Sequence, residues 1–365
     1  MSKSIVYPLD RNTTPLLRYA RSEFVAGVSP KGRGYGGGDL SVIDGGQKTS
    51  DHILEDFPLA LEEHSDCDRI VFLQGAGVFN AQDYFSCLKI AQSNGKHIML
   101  SKSIEKLLAD EGHLISNVDI IESNEMPIEQ CLEGYSSESL EVVPAPIVTV
   151  FGMGENTDKF FLQLAIREQF LAKGYNVLQL GSKEYSKLCG FQTLPDFVYN
   201  ASIPMTKRIV ALNHYLCQRI NHEKPDVVII GAPGGVMPLD RHFHNEFGEL
   251  PFIISMAAQP DIAVLSMYYI PDMNLEFLND IRTFLKYRLN CNFDFINIAN
   301  TAYKIEDADS VPEIAFLLYD YNTVNETING IVGDSKLCIF NAFTPNVSEQ
   351  LCRIITELSN NVDIV

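Results

Sequence analysis

Ile147-Val-Thr-Val-Phe-Gly-Met-Gly-Glu-Asn-Thr-Asp-Lys-Phe160 is the stretch on which the reading of the fold turns. An apolar, β-branched run breaks into closely spaced glycines, and beyond Thr157 the apolar residues Phe161, Leu162, Leu164, Ala165 and Phe170 recur at helical spacing. The order is strand, loop, helix, the unit from which parallel α/β sheets are assembled. Further along, Asp226-Val-Val-Ile-Ile230 is a second buried-strand run, and it leads into Gly231-Ala-Pro-Gly-Gly235. Two such turns at the ends of adjacent parallel strands would close on one ligand, in the crevice where open α/β sheets bind.

Working outward, Lys173-Gly174 stops the helix begun near Thr157, and strand patterns follow at 175–180, 226–230, 252–255, 262–269, 295–298, 314–318 and 338–343. Helical patterns fill 206–221, 274–287 and 347–358. Residues 147–365 therefore read as one large doubly wound α/β domain. Upstream, strand patterns at 4–7, 23–28, 69–75 and 97–100 alternate with helical stretches, so 1–115 reads as a smaller Rossmann-like α/β domain. No Gly-x-Gly-x-x-Gly follows any of its strands, and dinucleotide binding there has little support. Between the two, 116–146 holds seven acidic residues and no Lys or Arg, with Pro127, Ser136-Ser137, Pro144 and Pro146. It reads as an acidic interdomain connection whose Ile120-Ile121 and 140–143 pieces are apolar enough to dock or add an edge strand.

The whole chain narrows the classes. With 365 residues, 46% of them hydrophobic and 21% charged, it can bury an ample core and is not a disordered chain. A formal charge of −19 repels nucleic acid and anionic lipid, and no basic patch offsets it. Neither a signal-peptide core at the N-terminus nor an apolar run of membrane-spanning length is present, so a cytoplasmic location is expected, with no membrane partner. Eight cysteines are scattered singly without a Cys-x-x-Cys pair. A zinc, iron–sulfur or dithiol site has no support in that spacing.

A phosphate loop works because glycines let backbone N–H groups converge on phosphate oxygens, a Lys adds charge, and a following Ser or Thr ligates Mg²⁺. Against Gly-x4-Gly-Lys-[Ser/Thr], Gly152 to Phe160 carries one extra residue, Asp158 in place of Gly and Phe160 in place of the hydroxyl. Its spacing resembles the Gly-x5-Gly-Lys-Thr variant of dethiobiotin synthetase-like P-loop proteins, and Ile230-Gly-Ala-Pro-Gly-Gly-Val-Met-Pro-Leu239 follows that family's later Glu-Gly-Ala-Gly-Gly turn and nearby Pro-Leu. What the resemblance implies is a P-loop-like fold for the second domain, with ATP or another nucleotide as the cofactor. By position Lys159 would reach phosphate, with Gly154, Asn156 and Gly234 lining the nucleotide. The candidate cofactor-binding set is Gly152, Gly154, Asn156, Thr157, Asp158 and Lys159 from the first turn, and Gly231, Pro233, Gly234 and Gly235 from the second.

Function carries over less completely. Phe160 and Ile230 stand where the family has its metal-binding hydroxyl and acidic group, and the nearest match to its reactive Lys, Lys183, is displaced by about two positions. Asp158 would also set a carboxylate beside the phosphate, costing several kcal/mol per charge pair at ~4 Å and an effective ε of ~20 unless it turns away to pair with Lys159 or cap the helix.

A second resemblance spans the chain. Ile5-Val-Tyr-Pro-Leu-Asp-Arg11, Pro15-Leu-Leu-Arg-Tyr19, Gly27-Val-Ser-Pro-Lys-Gly32 and Thr157-Asp-Lys-Phe-Phe-Leu-Gln-Leu164 look like peptide maturation system proteins, which accompany radical-SAM enzymes acting on ribosomally made, cysteine-containing peptides. The expectation is an accessory or scaffold protein in peptide maturation, with a precursor peptide or a peptide-modifying enzyme as partner and homo-oligomerisation left open. An ATP-dependent ligase or kinase-like enzyme is the alternative, drawing metal ligands from Asp240, Glu155 or elsewhere, and a small-anion binder is the third. No catalytic residue is assigned.

Three further clusters carry two readings each. The loop Ser29-Pro-Lys-Gly-Arg-Gly-Tyr-Gly-Gly-Gly-Asp39 is either an anion loop using Lys31 and Arg33 or a surface connection. Arg241-His-Phe-His244 would put two imidazoles on one face of a strand, with Glu246 and Glu249 near, either as metal ligands or as side chains of a solvated polar loop. Asp10 and Arg11 sit just past the first strand, as ligand contacts or as a structural turn.

Overall fold

A computed structural model of the chain describes residues 3–76, 80–134, 139–307, 312–331 and 337–362. Gly77, which follows the third strand pattern in sequence, and Ser136-Ser137 lie outside the described residues. The chain divides into two compact units, Met1–Ser123 with Glu184–Gly190, and Asn124–Lys183 with Phe191–Val365.

In the first unit the strands β1 (Ser4–Tyr7), β2 (Phe24–Gly27), β3 (Arg69–Phe72), β4 (His97–Leu100) and β5 (Asp119–Ile120) form one parallel sheet, ordered β2-β1-β3-β4-β5. That is the flavodoxin-like order of doubly wound sheets. Its central strands read as unbroken apolar runs because both faces are covered: Ile5, Val6, Ile70, Val71 and Phe72 are all fully buried. Tyr7 packs edge-on against Phe57, Phe72 and Tyr84 on one face. The helices Phe57–Glu63 and Ala81–Ser93 begin where sequence chemistry asks, with the Asp56 and Asn80 side chains accepting the Leu59 and Asp83 N–H groups. Asp119–Ile120 takes the edge position beside β4, so the acidic stretch contributes to this sheet.

One segment joins this unit from far along the chain. Glu184–Cys189 forms a 3₁₀ turn in which the Tyr185 hydroxyl donates to the Asn12 carbonyl, Lys187 pairs with Glu122, and Glu184 accepts from the Ser103 N–H and hydroxyl. Nothing in its local sequence marks it as separate from the larger domain.

The second unit opens earlier than 147: the helix Ile128–Leu132 packs on the long helix Met205–Glu223, and Gln218 donates to the Cys131 carbonyl. Its strands are β6 (Ile147–Gly152), β7 (Val177–Gly181), β8 (Gln192–Thr193), β9 (Val227–Gly231), β10 (Ile262–Met267), β11 (Phe295–Ile298), the antiparallel hairpin β12 (Thr301–Asp307) and β13 (Pro312–Leu318), and β14 (Cys338–Phe340). Seven of them make a parallel sheet ordered β14-β11-β10-β6-β9-β7-β8. The quoted stretch supplies the central strand, with every residue of β6 buried. The fold is α/β throughout, Rossmann-like in the first unit and doubly wound, P-loop-like in the second. No described helix is long and apolar enough to cross a membrane.

Three sequence expectations are corrected. Residues 252–255 lie inside the helix Glu249–Ala258, since a short wholly apolar run carries no periodicity to separate a buried helix from a buried strand. The 314–318 strand belongs to the hairpin and not to the parallel sheet. His242 and His244 are not on a strand: the chain there is irregular and ends in a short 3₁₀ turn, Asn245–Gly248.

Candidate functional site

β6 and β9 are neighbours, with Val150 opposite Gly231, so both glycine turns leave the same edge of the sheet side by side. The Val236 N–H donates to the Gly152 carbonyl at 2.9 Å, and Asn245 Nδ2 donates to the carbonyls of Met153 and Met237 at 3.1 and 2.8 Å. All ten residues singled out from the sequence are thus gathered into two adjoining turns. Glycine is required at four of them for lack of room, Gly152, Gly154, Gly231 and Gly235, the last because a Cβ would lie 2.4 Å from the Met153 carbonyl oxygen. A Cβ on Gly152 would lie 2.4 Å from Lys159 Cδ, and one on Gly231 would lie 2.0 Å from Nε2 of the fully buried Gln163.

Lys159 opens the helix Lys159–Ala172 and lies beneath the loop, 6% exposed. Its ammonium donates to the Gly234 carbonyl and sits 3.4 Å from the Glu155 carboxylate one turn back. Burial pulls the Lys159 pKa down, and Glu155 works against that shift. The Lys159 charge, with Lys183 adding to it, holds the Glu155 carboxyl down to about 2. Lys183 therefore does stand within electrostatic reach of the loop, although its sequence position does not match the reactive Lys of the synthetases. Lys159, Lys183 and Glu155 thus act on one another across the loop.

Asp158 turns away from it, accepting the Asn300 N–H at 3.2 Å, and it neither pairs with Lys159 nor caps the helix through its side chain. It and Asn156 take left-handed backbone angles, φ 60° and 58°, which Asp and Asn adopt at less cost than other non-glycine residues. Thr157 is fully buried, and its hydroxyl donates to the Gly154 carbonyl at 3.1 Å.

Behind the loop runs a polar lattice that sequence reading missed. Ser266 on β10 donates to the Thr157 carbonyl and accepts from Asn297 Nδ2 at 2.7 Å, while Asn297 Oδ1 accepts the Ala342 N–H at 2.7 Å. Asn341 Nδ2 donates to Asn300 Oδ1 at 2.7 Å, and the Tyr268 hydroxyl donates to the Glu155 carbonyl at 2.5 Å. The available signal was a Ser and an Asn set inside otherwise apolar strands, Ile262–Met267 and Phe295–Ile298; both are fully buried, where a polar side chain must find partners.

Phe160 is buried and lies against Phe191, and Ile230 is buried in the core. The Asp240 carboxylate accepts the His242 and Phe243 N–H groups at 2.7 Å each. His242 Nε2 is engaged by Arg241, and His244 Nδ1 by the Glu246 N–H. Among the described residues no group of three or more His, Cys, Asp or Glu is placed to hold a metal. In the first unit, Lys31 of the 29–39 loop pairs with Asp56 at 2.8 Å and the Gly36 N–H meets Glu55, so acidic neighbours already take donors that an anion would need. Asp10 accepts the N–H groups of Asn12 and Ala76, at 2.8 and 2.5 Å, which ties the end of β1 to the turn after β3.

No protein family matches the chain, and no curated protein sequence does. Among solved structures it is similar to the crystal structure of a DUF1611 family protein from Anabaena variabilis ATCC 29413, at 14% identity and a TM-score of 0.57, over 96% of this chain and 100% of that one. At that identity the likeness speaks for the fold alone.

Proposed function

We propose that the second unit is a non-hydrolytic binding module for a phosphate-type anion, nucleotide phosphates included, and that the protein serves as an accessory component in the maturation of a ribosomally made peptide. The observation that carries the first part is the seating of Lys159: an ammonium buried beneath two glycine turns, held by a backbone carbonyl and by a carboxylate that is itself largely exposed. An incoming anion would take the place of Glu155, which swings out on an exposed stem, while Lys183 adds a second positive charge. The buried lattice through Ser266, Asn297 and Asn300 supports a loop already formed before binding, which lowers the ordering cost.

Against hydrolysis stand Phe160 and Ile230, apolar and buried where the metal-ligating groups of the resembled family belong. The accessory role in peptide maturation rests on the whole-chain resemblance. Titration calorimetry with pyrophosphate, ATP and GTP, with and without Mg²⁺, on wild type and Lys159→Ala tests the reading. Expected are Mg²⁺-independent binding by wild type, loss in the variant and no released phosphate. Mg²⁺-dependent binding with turnover would replace this reading by the ligase or kinase one.

A further inference from the structure

The hairpin of β12 and β13 stands apart from the seven-stranded sheet of the second unit, and its two strands pair with each other alone. A two-stranded hairpin is marginal in water, and independent stability takes three or more strands with an apolar face. One end is anchored, since Tyr268 packs its ring on Tyr303 and Phe316, with centroids 4.8 and 6.2 Å apart. Beyond that contact β13 stays open: Phe316, Leu317 and Leu318 are 38%, 46% and 40% exposed.

The backbone says what kind of partner fits. The Tyr319 N–H donates to the Asn300 carbonyl, which sets the phase of the ladder: Leu317 and Ala315 turn their N–H and C=O groups toward β12, while Leu318, Phe316 and Ile314 turn theirs away. Among the described residues no strand pairs with that outer edge. Proteins ordinarily guard such an edge with a charge, a bulge or a proline. Here the register with β12 is unbroken, the guards stop at Pro312 and Glu313, and Ile314-Ala-Phe-Leu-Leu318 carries no charge. What completes an open edge of this kind is another strand.

That edge is complementary to itself. Antiparallel pairing about a two-fold axis at Phe316 sets Ile314 opposite Leu318 and Ala315 opposite Leu317 of a second copy, and the three outward-turned residues of each strand then bond to those of the other. No like charges meet, because Glu313 falls opposite Tyr319. One face of the joined sheet would carry Tyr303, Ile305, Ile314, Phe316 and Leu318 of both copies, since opposed and alternate residues share a face. We propose that β13 is a homodimer interface, where two copies of this chain join edge to edge and turn two marginal hairpins into one four-stranded sheet. A strand contact is small beside the ~800 Å² per partner of a standard interface, so the dimer is a concentration-dependent one.

Sedimentation velocity of the full chain over a wide concentration range tests this. Wild type is expected to pass from monomer to dimer as concentration rises. Phe316→Lys and Phe316→Glu each set like charges face to face on the axis, and each should raise the dissociation constant roughly tenfold or more. Mixing the two variants should bring the dimer back, because Lys then faces Glu, which a merely damaged fold would not do. Ile314→Pro removes an outward N–H and none toward β12, so it should weaken the dimer in a protein that melts like wild type. Three results would each overturn the proposal: a wild type monomeric at every concentration, as an edge built for a foreign strand would give; a dimer indifferent to Ile314→Pro; or a mixture no more dimeric than its two components while both melt like wild type.

Discussion

Replacing Glu155 by Gln removes the internal counter-charge of Lys159 while keeping its shape, and the structure sets the size of the effect. At 3.4 Å, 332/(ε·r) gives about 5 kcal/mol for an effective ε of ~20 and about 1 kcal/mol in water. The Glu155 side chain is 58% exposed, which places the pair toward the weaker end, about 1–2 kcal/mol. An anion that must displace Glu155 meets no such competitor in the variant, so affinity for pyrophosphate or ATP should rise about 5–30-fold by calorimetry at low salt. Stability should move the other way, because Lys159 stays buried without its partner. The sign with pH follows from a carboxyl lowered from 4.5 to about 2: the wild-type advantage is present above pH 4.5 and is lost as pH falls toward about 2. Unchanged or weaker anion binding by a variant that remains folded would refute the displacement argument.

Two substitutions test the architecture of the loop itself. Gly231→Ala forces a methyl onto the fully buried Gln163 amide and should cost roughly 1–3 kcal/mol in urea unfolding; the double variant with Gln163→Ala should recover part of that loss, and a purely additive pair would show the clash is not the cause. Asp158→Ala loses the acceptor of the Asn300 N–H and should destabilise by roughly 1–3 kcal/mol, whereas Asp158→Asn, which keeps an acceptor and tolerates the left-handed angle, should cost clearly less by the same measurement.

Much of the α/β alternation is legible in the chain because buried parallel strands are unbroken apolar runs and their helices carry a 3.6-residue stripe. The strands at 4–7, 97–100 and 295–298 coincide with those observed. Where the period vanishes, the reading fails: Pro251-Phe-Ile-Ile-Ser-Met-Ala-Ala258 is apolar almost throughout, and only its neighbours make it a helix. The contribution of 119–120 to the first sheet, and of 184–190 to the first unit, depends on partners distant in sequence that no local pattern specifies.

By itself the sequence determined that Gly152 to Lys159 and Gly231 to Gly235 are turns after buried strands, since only glycine spacing and apolar runs were needed to say so. It also determined that Phe160 and Ile230 could not ligate a metal, because side-chain chemistry does not depend on the fold. What Asp158 does was decided by tertiary structure alone. Its carboxylate finds the Asn300 N–H across the sheet edge, which only the β6-β10-β11 order brings within reach. The same holds for Lys159, whose charge is set by burial and by Glu155 and Gly234, one a turn away on the loop and the other on the neighbouring strand's turn. Electrostatics of this kind falls off with distance through a medium the fold creates, so a chain of letters carries the charges and not the field.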